Sequence, residues 1–149
     1  MIVTATETDG TQIQDITARA GVFSQEEIDS VPEMFNEYLT HGAEGSGYHF
    51  IVYRENDQVL GFAIYGFRDL TDGVYDLYWI AVDPNARCKG IGIKLLTASE
   101  EAGAKWVDES LLRRHRAHSF TSPRGSFMPA RDIRMRQASK ISTRSVMIW

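Results

Sequence analysis

The chain has 149 residues, of which 43% are hydrophobic and 24% charged, and its formal net charge is −4. This length and composition predict a single globular domain with a substantial core. A single cysteine excludes an internal disulfide framework and favours a reducing compartment. The first ten residues lack the basic and apolar segments of a secretory signal, and no apolar run reaches membrane-spanning length. We therefore expect a cytoplasmic protein with no membrane partner.

The small net charge conceals two oppositely charged segments. Residues 1–110 carry 7 Lys and Arg against 19 Asp and Glu, a net of −12, whereas residues 111–149 carry 9 against 1, a net of +8. A break in composition this sharp predicts a boundary. It divides the chain into a domain over 1–110 and a basic tail over 111–149.

Two helices are predicted first. Residues 11–20 begin with a capping-box pattern, Thr followed three residues later by Gln, and end before a glycine. Residues 24–39 repeat the pattern with Ser and Glu, but Pro32 predicts a kink or a break near Ser30. Residues 41–47 then form a predicted glycine-rich loop.

Three strands follow. Tyr48–Arg54 and Val59–Phe67 are joined by a polar turn at Glu55–Gln58, which predicts an antiparallel hairpin. Val74–Val82 is rich in Val, Tyr, Trp and Ile, the composition of a buried strand. Asp83-Pro84-Asn85 ends it, since proline cannot donate to a β-ladder.

The third strand leads through Arg87-Cys88-Lys89-Gly90-Ile91-Gly92 into a segment with apolar residues at helical spacing. The first amide groups of a helix lack internal partners, and glycines allow close backbone approach, so this loop could bind a phosphate or pyrophosphate. It could equally be a turn that needs glycine only for its backbone angles. A dinucleotide fingerprint is excluded because position 95 is leucine, and a Walker loop because isoleucine follows Gly92.

The strand, Val82-Asp83-Pro84 and the loop Arg87–Gly92 together resemble the acetyl-CoA-binding motif of the GNAT N-acetyltransferases, Val-x-Pro followed by Arg/Gln-x-x-Gly-x-Gly/Ala. The resemblance covers about residues 1–105. It implies an α/β (α+β) GNAT-like acyl-CoA N-acyltransferase fold, in which a mixed, mostly antiparallel central sheet is flanked by helices. It also implies acetyl-CoA as cosubstrate, without a metal, bound by Ala81, Val82, Arg87, Cys88, Lys89, Gly90, Ile91 and Gly92.

Asp76 is the candidate catalytic residue. It lies six residues before Val82, where some GNAT members carry the general base that deprotonates the acceptor amine. The alternative is a structural carboxylate near the exposed end of the strand. Strand alternation places Asp76 on one face with Tyr78 and Ile80, and Trp79 on the other. Tyr78 could then line the acceptor pocket.

The tail over 111–149 contains eight arginines, six serines, one acid and no tyrosine. GNAT members place here a strand that closes the pantetheine slot and often a tyrosine that protonates the leaving thiolate. One interpretation is a frameshift, because codons for residues 140–149 can encode DFYALGDDL, a family-like ending, in another frame. We then expect a poorly ordered tail. The competing hypothesis is a basic arm for nucleic acid or an acidic partner, although the tail has no recognisable module.

The resemblance therefore implies transfer of an acetyl group from acetyl-CoA to a primary amine of a small molecule or protein by direct attack, in an impaired form. The alternatives are a non-catalytic acyl-CoA-binding remnant and nucleic-acid binding through the tail. The sequence does not identify the amine acceptor and leaves homodimerisation open.

Overall fold

The computed structural model describes the backbone of residues 1–67 and 75–118, and the side chains of these residues except 67, 75 and 107–118. The elements are β1 (Ile2–Thr4), α1 (Gly10–Ala20), α2 (Gln25–Ser46), β2 (His49–Glu55), β3 (Gln58–Phe67), β4 (Tyr75–Val82) and α3 (Ile91–His118), with 3₁₀ turns at Glu7–Asp9 and Pro84–Ala86. Within these ranges no helix is both long and apolar enough to cross a membrane.

The four strands form one antiparallel sheet in the order β1-β2-β3-β4. Two apolar clusters pack on it. One joins α1 and α2 to the sheet through residues such as Ile16, Phe35 and Phe62, and the other joins α3 through residues such as Leu95 and Ile80. This confirms the predicted α+β architecture with an antiparallel sheet flanked by helices. The three-residue strand β1 was not predicted.

The β2–β3 hairpin confirms its prediction. Glu55 pairs with Gln58, which leaves a two-residue loop. Both loop residues have positive φ, 48° at Asn56 and 63° at Asp57. That is the type I′ geometry, whose twist matches that of the strands, and Asn and Asp adopt it more readily than other non-glycine residues.

Capping boxes form at the start of α2 and at the start of the 3₁₀ turn before α1, but only the one at α2 is where it was predicted. Ser24 caps α2 by accepting a bond from the amide of Glu27, as predicted. Before α1, the capping box forms between Thr6 and Asp9. The predicted box beginning at residue 11 is therefore wrong, because the chain is already helical from Gly10.

The predicted break near Ser30 is wrong too. Pro32 lies inside α2, whose backbone leaves the helical region only at Gly42 (φ 71°, ψ 176°). The proline ring fixes a φ compatible with a helix, so Pro32 costs one hydrogen bond while Val31 and Phe35 beside it stay buried. Residues 43–46 are helical again rather than part of a loop.

Helix α3 continues through His118, so the predicted boundary between residues 110 and 111 falls inside a helix. The remaining tail, with the codons invoked for a frameshift, lies outside the described residues.

Candidate active site

Strand β4 is at the edge of the sheet formed by the described strands. Ala81 and Val82 lie at its carboxyl end, where they pair with Phe62 and Gly61 of β3. An edge strand presents unpaired N–H and C=O groups along its outer side. Ala81 and Val82 therefore stand where an extended amide-containing ligand could pair with the backbone.

A β-bulge interrupts β4 at Tyr78. Trp79 pairs with Ile64 and Leu77 pairs with Tyr65, so Tyr78 has no counterpart of its own on β3. An extra residue reverses the alternation beyond it. Tyr78 and Trp79 consequently both pack against the α1–α2 cluster.

Two predicted orientations are wrong for this reason. Trp79 lies on the same face as Tyr78, not the opposite one, and Ile80 belongs to the cluster under α3. Asp76 still shares the face of Tyr78, because Leu77 between them lies on the α3 side. The Asp76 residue is 6% exposed, so any base at this position would act from a largely desolvated site.

Aromatic side chains surround this part of β4. Tyr48 meets Tyr78 edge to face with 5.6 Å between ring centroids, and Phe23, in the loop between α1 and α2, lies 6.0 Å from Trp79. All four are partly buried against the α1–α2 cluster. Sequence reasoning missed Phe23 and Tyr48, because neither lies in a motif and the long-range fold alone brings them to β4.

Gly66 makes room for this arrangement opposite Asp76, with which it pairs on β3. A Cβ at position 66 would lie 2.2 Å from the Gly47 carbonyl oxygen and 2.7 Å from the Tyr78 ring. Only glycine therefore lets the end of α2 and the tyrosine pack against this strand. The sequence signal for this close approach was Gly66 itself, a glycine within a predicted strand.

The loop after β4 is anchored at both ends and exposed between them. Ala86 and Ile91 are each 2% exposed, whereas residues 87–90 are exposed. Cys88 and Gly90 have positive φ, 65° and 71°. The chain then enters α3, where the Lys94 amide donates to the Gly90 carbonyl at 3.1 Å.

The amides at the start of α3 have no earlier helical carbonyl to bond, and the helix dipole adds partial positive charge there. At this end of the helix lie the exposed residues Cys88, Lys89 and Gly90, with Gly92 in the first turn. Ile91 is different, because its side chain packs in the core under α3 and leaves only its backbone for a ligand. The Arg87 side chain donates to the carbonyl oxygen of Ala20 at 2.9 Å.

His41 and His49, the two histidines whose side chains the structure describes, are not arranged as metal ligands. Among the described residues no group of three His, Cys, Asp or Glu side chains could hold a metal ion. His49 stacks on Tyr65 with 5.0 Å between centroids, and burial lowers the pKa of His49 and raises that of Tyr65.

A model of the acetyltransferase (GNAT) domain matches residues 46–123, slightly more than half of the chain. The chain belongs to the GNAT acetyltransferase family. This confirms the family inferred from the loop motif, and the match continues beyond residue 105, where we expected the resemblance to end. No curated protein matches the sequence.

Solved GNAT structures have the same fold. A putative acetyltransferase from Desulfovibrio desulfuricans is 35% identical, with a TM-score of 0.66 over 70% of this chain and 65% of that one. The PaiA N-acetyltransferase of Thermoplasma acidophilum, solved with coenzyme A, is 19% identical (TM-score 0.56, 70% and 72% covered). A GNAT acetyltransferase from Brucella melitensis, solved with acetyl-CoA, is 22% identical (TM-score 0.55, 70% and 68% covered).

Proposed function

We propose that the chain binds acetyl-CoA at the end of β4 and transfers the acetyl group to a primary amine. One observation carries the proposal: the outer edge of β4 at Ala81 and Val82 lies beside an exposed, glycine-containing loop at the amino end of α3. The edge suits the amide groups of pantetheine, and the helix start suits a pyrophosphate. The Thermoplasma and Brucella structures hold coenzyme A and acetyl-CoA, which supports this choice of ligand.

We propose a role in acetyl-CoA binding for each residue of the loop and for the end of β4. The amides of Cys88, Lys89, Gly90 and Gly92 donate to pyrophosphate oxygens, and the Lys89 ammonium adds positive charge at the same exposed edge. The backbone at Ala81 and Val82 aligns the pantetheine arm along β4. Arg87 and Ile91 hold the loop in place, through the Ala20 carbonyl and the core respectively.

Asp76 is the proposed general base. An ammonium has no lone pair, so the acceptor must lose a proton before its nitrogen attacks the thioester carbonyl carbon. The new C–N bond forms as the C–S bond breaks, and the sulfur leaves as a thiolate. The nitrogen loses a second proton as it becomes an amide, and this proton passes through solvent to the thiolate. The aromatic rings of Tyr78 and Trp79 on the same face would exclude water around the reacting amine.

A second candidate, a protein that binds acyl-CoA without turnover, is favoured by the absence of tyrosine from residues 111–149. In the family a tyrosine in this part of the chain often protonates the thiolate. Both candidates bind CoA, but only the enzyme releases CoA steadily when amines are supplied. We infer that a frameshift after about residue 111 impairs turnover, and sequencing the coding DNA tests the frameshift directly.

Gly92→Val tests the cofactor site. A branched side chain in the first turn of α3 should block approach of the pyrophosphate, so we expect CoA binding, measured by calorimetry, to weaken at least about 100-fold, a loss of roughly 2.7 kcal/mol. Thr97→Val, at an exposed position further along α3, is the matched control and should bind normally. Unchanged affinity in a well-folded Gly92→Val protein would refute the assignment.

Asp76→Asn tests the base. We expect turnover to fall about 10²- to 10⁴-fold, the usual worth of a general base, and to fall most at low pH, where the amine is protonated. Asp57→Asn removes a charge from the exposed hairpin turn and serves as control. Parallel rate–pH profiles for wild type and Asp76→Asn would make Asp76 structural.

A further inference from the structure

Two contacts attach the carboxyl end of α1 to the segment that leads from β4 into the loop Arg87–Gly92, the proposed acetyl-CoA loop. Arg19 forms an ion pair with Asp83, with 2.9 Å between Nη2 and Oδ2. Arg87 donates from Nη2 to the Ala20 carbonyl oxygen at 2.9 Å. Asp83 and Arg87 flank the 3₁₀ turn between β4 and the loop, so neighbouring residues of α1 hold both sides of that turn.

Asp83 is held in place by hydrogen bonds on both its backbone and its side chain. Its amide donates to the Leu60 carbonyl at 2.8 Å, and its Oδ1 accepts from the Asn85 amide at 2.8 Å. The Asp83 side chain is only 3% exposed. A carboxylate removed from water needs a charged partner, and Arg19 provides it.

The exposed part of the loop depends on these anchors. Cys88 and Gly90 hold left-handed backbone conformations that an unanchored segment would leave readily. Their amides can converge on one anion only if both ends of the segment stay in place. Ile91 fixes the far end by burial, and the near end is held by the buried Ala86 together with the contacts of Asp83 and Arg87.

We propose that Arg19 is a positioning residue for the acetyl-CoA loop: through Asp83 it holds the turn at 84–86, and so orients the amides of residues 88–90 toward the pyrophosphate. The proposal rests on the proposed function of that loop. Arg19 itself touches no ligand in this arrangement. Its own side chain is half exposed, so its removal should leave the core intact.

The experiment measures CoA affinity by calorimetry and amide hydrogen exchange across 84–90 in the full chain. Arg19→Ala is expected to weaken CoA binding about 10-fold, the effect of losing one charge-assisted contact at the loop. Exchange at 88–90 should speed up. Arg19→Lys should recover part of the affinity, since it restores the charge without the planar guanidinium. Combining Arg19→Ala with Asp83→Asn should cost less than the two single effects together.

The matched control is Arg54→Ala. Arg54 pairs with Asp9 near the other end of α1, and the Asp9 side chain is likewise almost fully buried. This variant should lose thermal stability without a change in CoA affinity or in exchange at 88–90. The control separates general destabilisation from loop positioning.

The experiment distinguishes failure of the positioning role from failure of the proposed function. If wild type binds CoA and Arg19→Ala binds it within about 2-fold, the positioning role is wrong and the proposed function stands. A wild-type chain that does not bind CoA overturns both. Equal loss of affinity in Arg19→Ala and Arg54→Ala also overturns the positioning role, because the effect is then one of stability.

Discussion

Helix α1 has an arginine–aspartate pair near each end, and the two pairs connect it to different kinds of structure. Near its start, Asp9 pairs with Arg54 of β2, a central strand of the sheet that α1 contacts through β3 and β4. Near its end, Arg19 pairs with Asp83, just before the 3₁₀ turn that leads into the exposed residues 87–90. The first pair joins α1 to the sheet, and the second joins α1 to the turn that leads into the exposed residues 87–90.

Besides its ion pair with Arg54, the Asp9 carboxylate accepts hydrogen bonds from Thr6. Its Oδ2 accepts from the Thr6 amide at 2.8 Å and from the Thr6 hydroxyl at 3.0 Å. The Arg54 backbone exchanges bonds with Met1 at 2.8 Å each, which adds the chain start to the same cluster. A similar pair therefore contributes mainly stability at one end of the helix and, as we propose, loop geometry at the other.

Asp9→Ala should show the largest effect. It leaves the Arg54 guanidinium without its buried partner and removes the cap from Thr6, so we expect the free energy of unfolding to fall by about 3 kcal/mol. Chemical denaturation measures this change. Asp15→Ala, at an exposed acid of the same helix, is the control and should stay within about 0.5 kcal/mol of wild type.

The comparison of the two ends requires that Asp9→Ala leave CoA affinity unchanged in protein that is still folded. A loss as large as that of Arg19→Ala would mean that the whole helix, rather than its carboxyl end, positions the loop.

Gly21→Ala should have an intermediate effect. Gly21 ends α1 with φ 72°, a conformation that costs alanine about 1 kcal/mol. An added Cβ would have the Arg19 carbonyl oxygen as its nearest contact, at 3.9 Å, so the ion pair should survive and CoA affinity should change little.

Gly47→Ala is the control. Gly47 ends α2 with φ 74°, and an added Cβ there would have no heavy atom within 4 Å, so the loss of thermal stability in this variant measures the cost of the backbone conformation alone. Should Gly21→Ala weaken CoA binding as much as Arg19→Ala, the helix end and not the ion pair would set the loop position.

The smallest effect concerns Tyr38, whose hydroxyl donates to the Ala5 carbonyl at 3.0 Å. Burial, and then the negative charge of Asp9, raise the pKa of Tyr38 above the ordinary value of 10.0. Because the folded pKa is raised, its contribution to stability is complete below pH 10 and is lost as pH rises through the folded value. Tyr38→Phe should therefore show a shallower alkaline decline in the free energy of unfolding.

Ultraviolet titration should show the same dependence. The difference between wild type and Tyr38→Phe isolates one of the six tyrosines. Asp9→Asn should move the Tyr38 titration toward lower pH, because it removes the negative charge of Asp9. Arg19→Ala, at the other end of α1, should leave the Tyr38 titration unchanged.

The sequence alone predicted the structure correctly where the interactions that determine it are local. The Asn56–Asp57 turn needs only two residues that tolerate positive φ, and the Ser24 cap needs one side chain three residues from its partner amide. The loop at Arg87–Gly92 is likewise a contiguous motif, and it led to the correct family. Asp76 as the general base remains a prediction.

The tertiary structure decided everything that depends on residues far apart in the chain. The bulge at Tyr78 arises from register against β3, so no count along β4 could show that Trp79 changes face. Pro32 continues a helix because burial of its neighbours offsets one lost hydrogen bond. Two contacts, Arg19 to Asp83 and Arg87 to Ala20, join the end of α1 to both sides of the 3₁₀ turn after β4, segments that only the folded sheet brings together. Local patterns fix backbone conformation through neighbouring atoms, whereas a side chain's partner across the molecule is fixed by packing, which no local pattern contains.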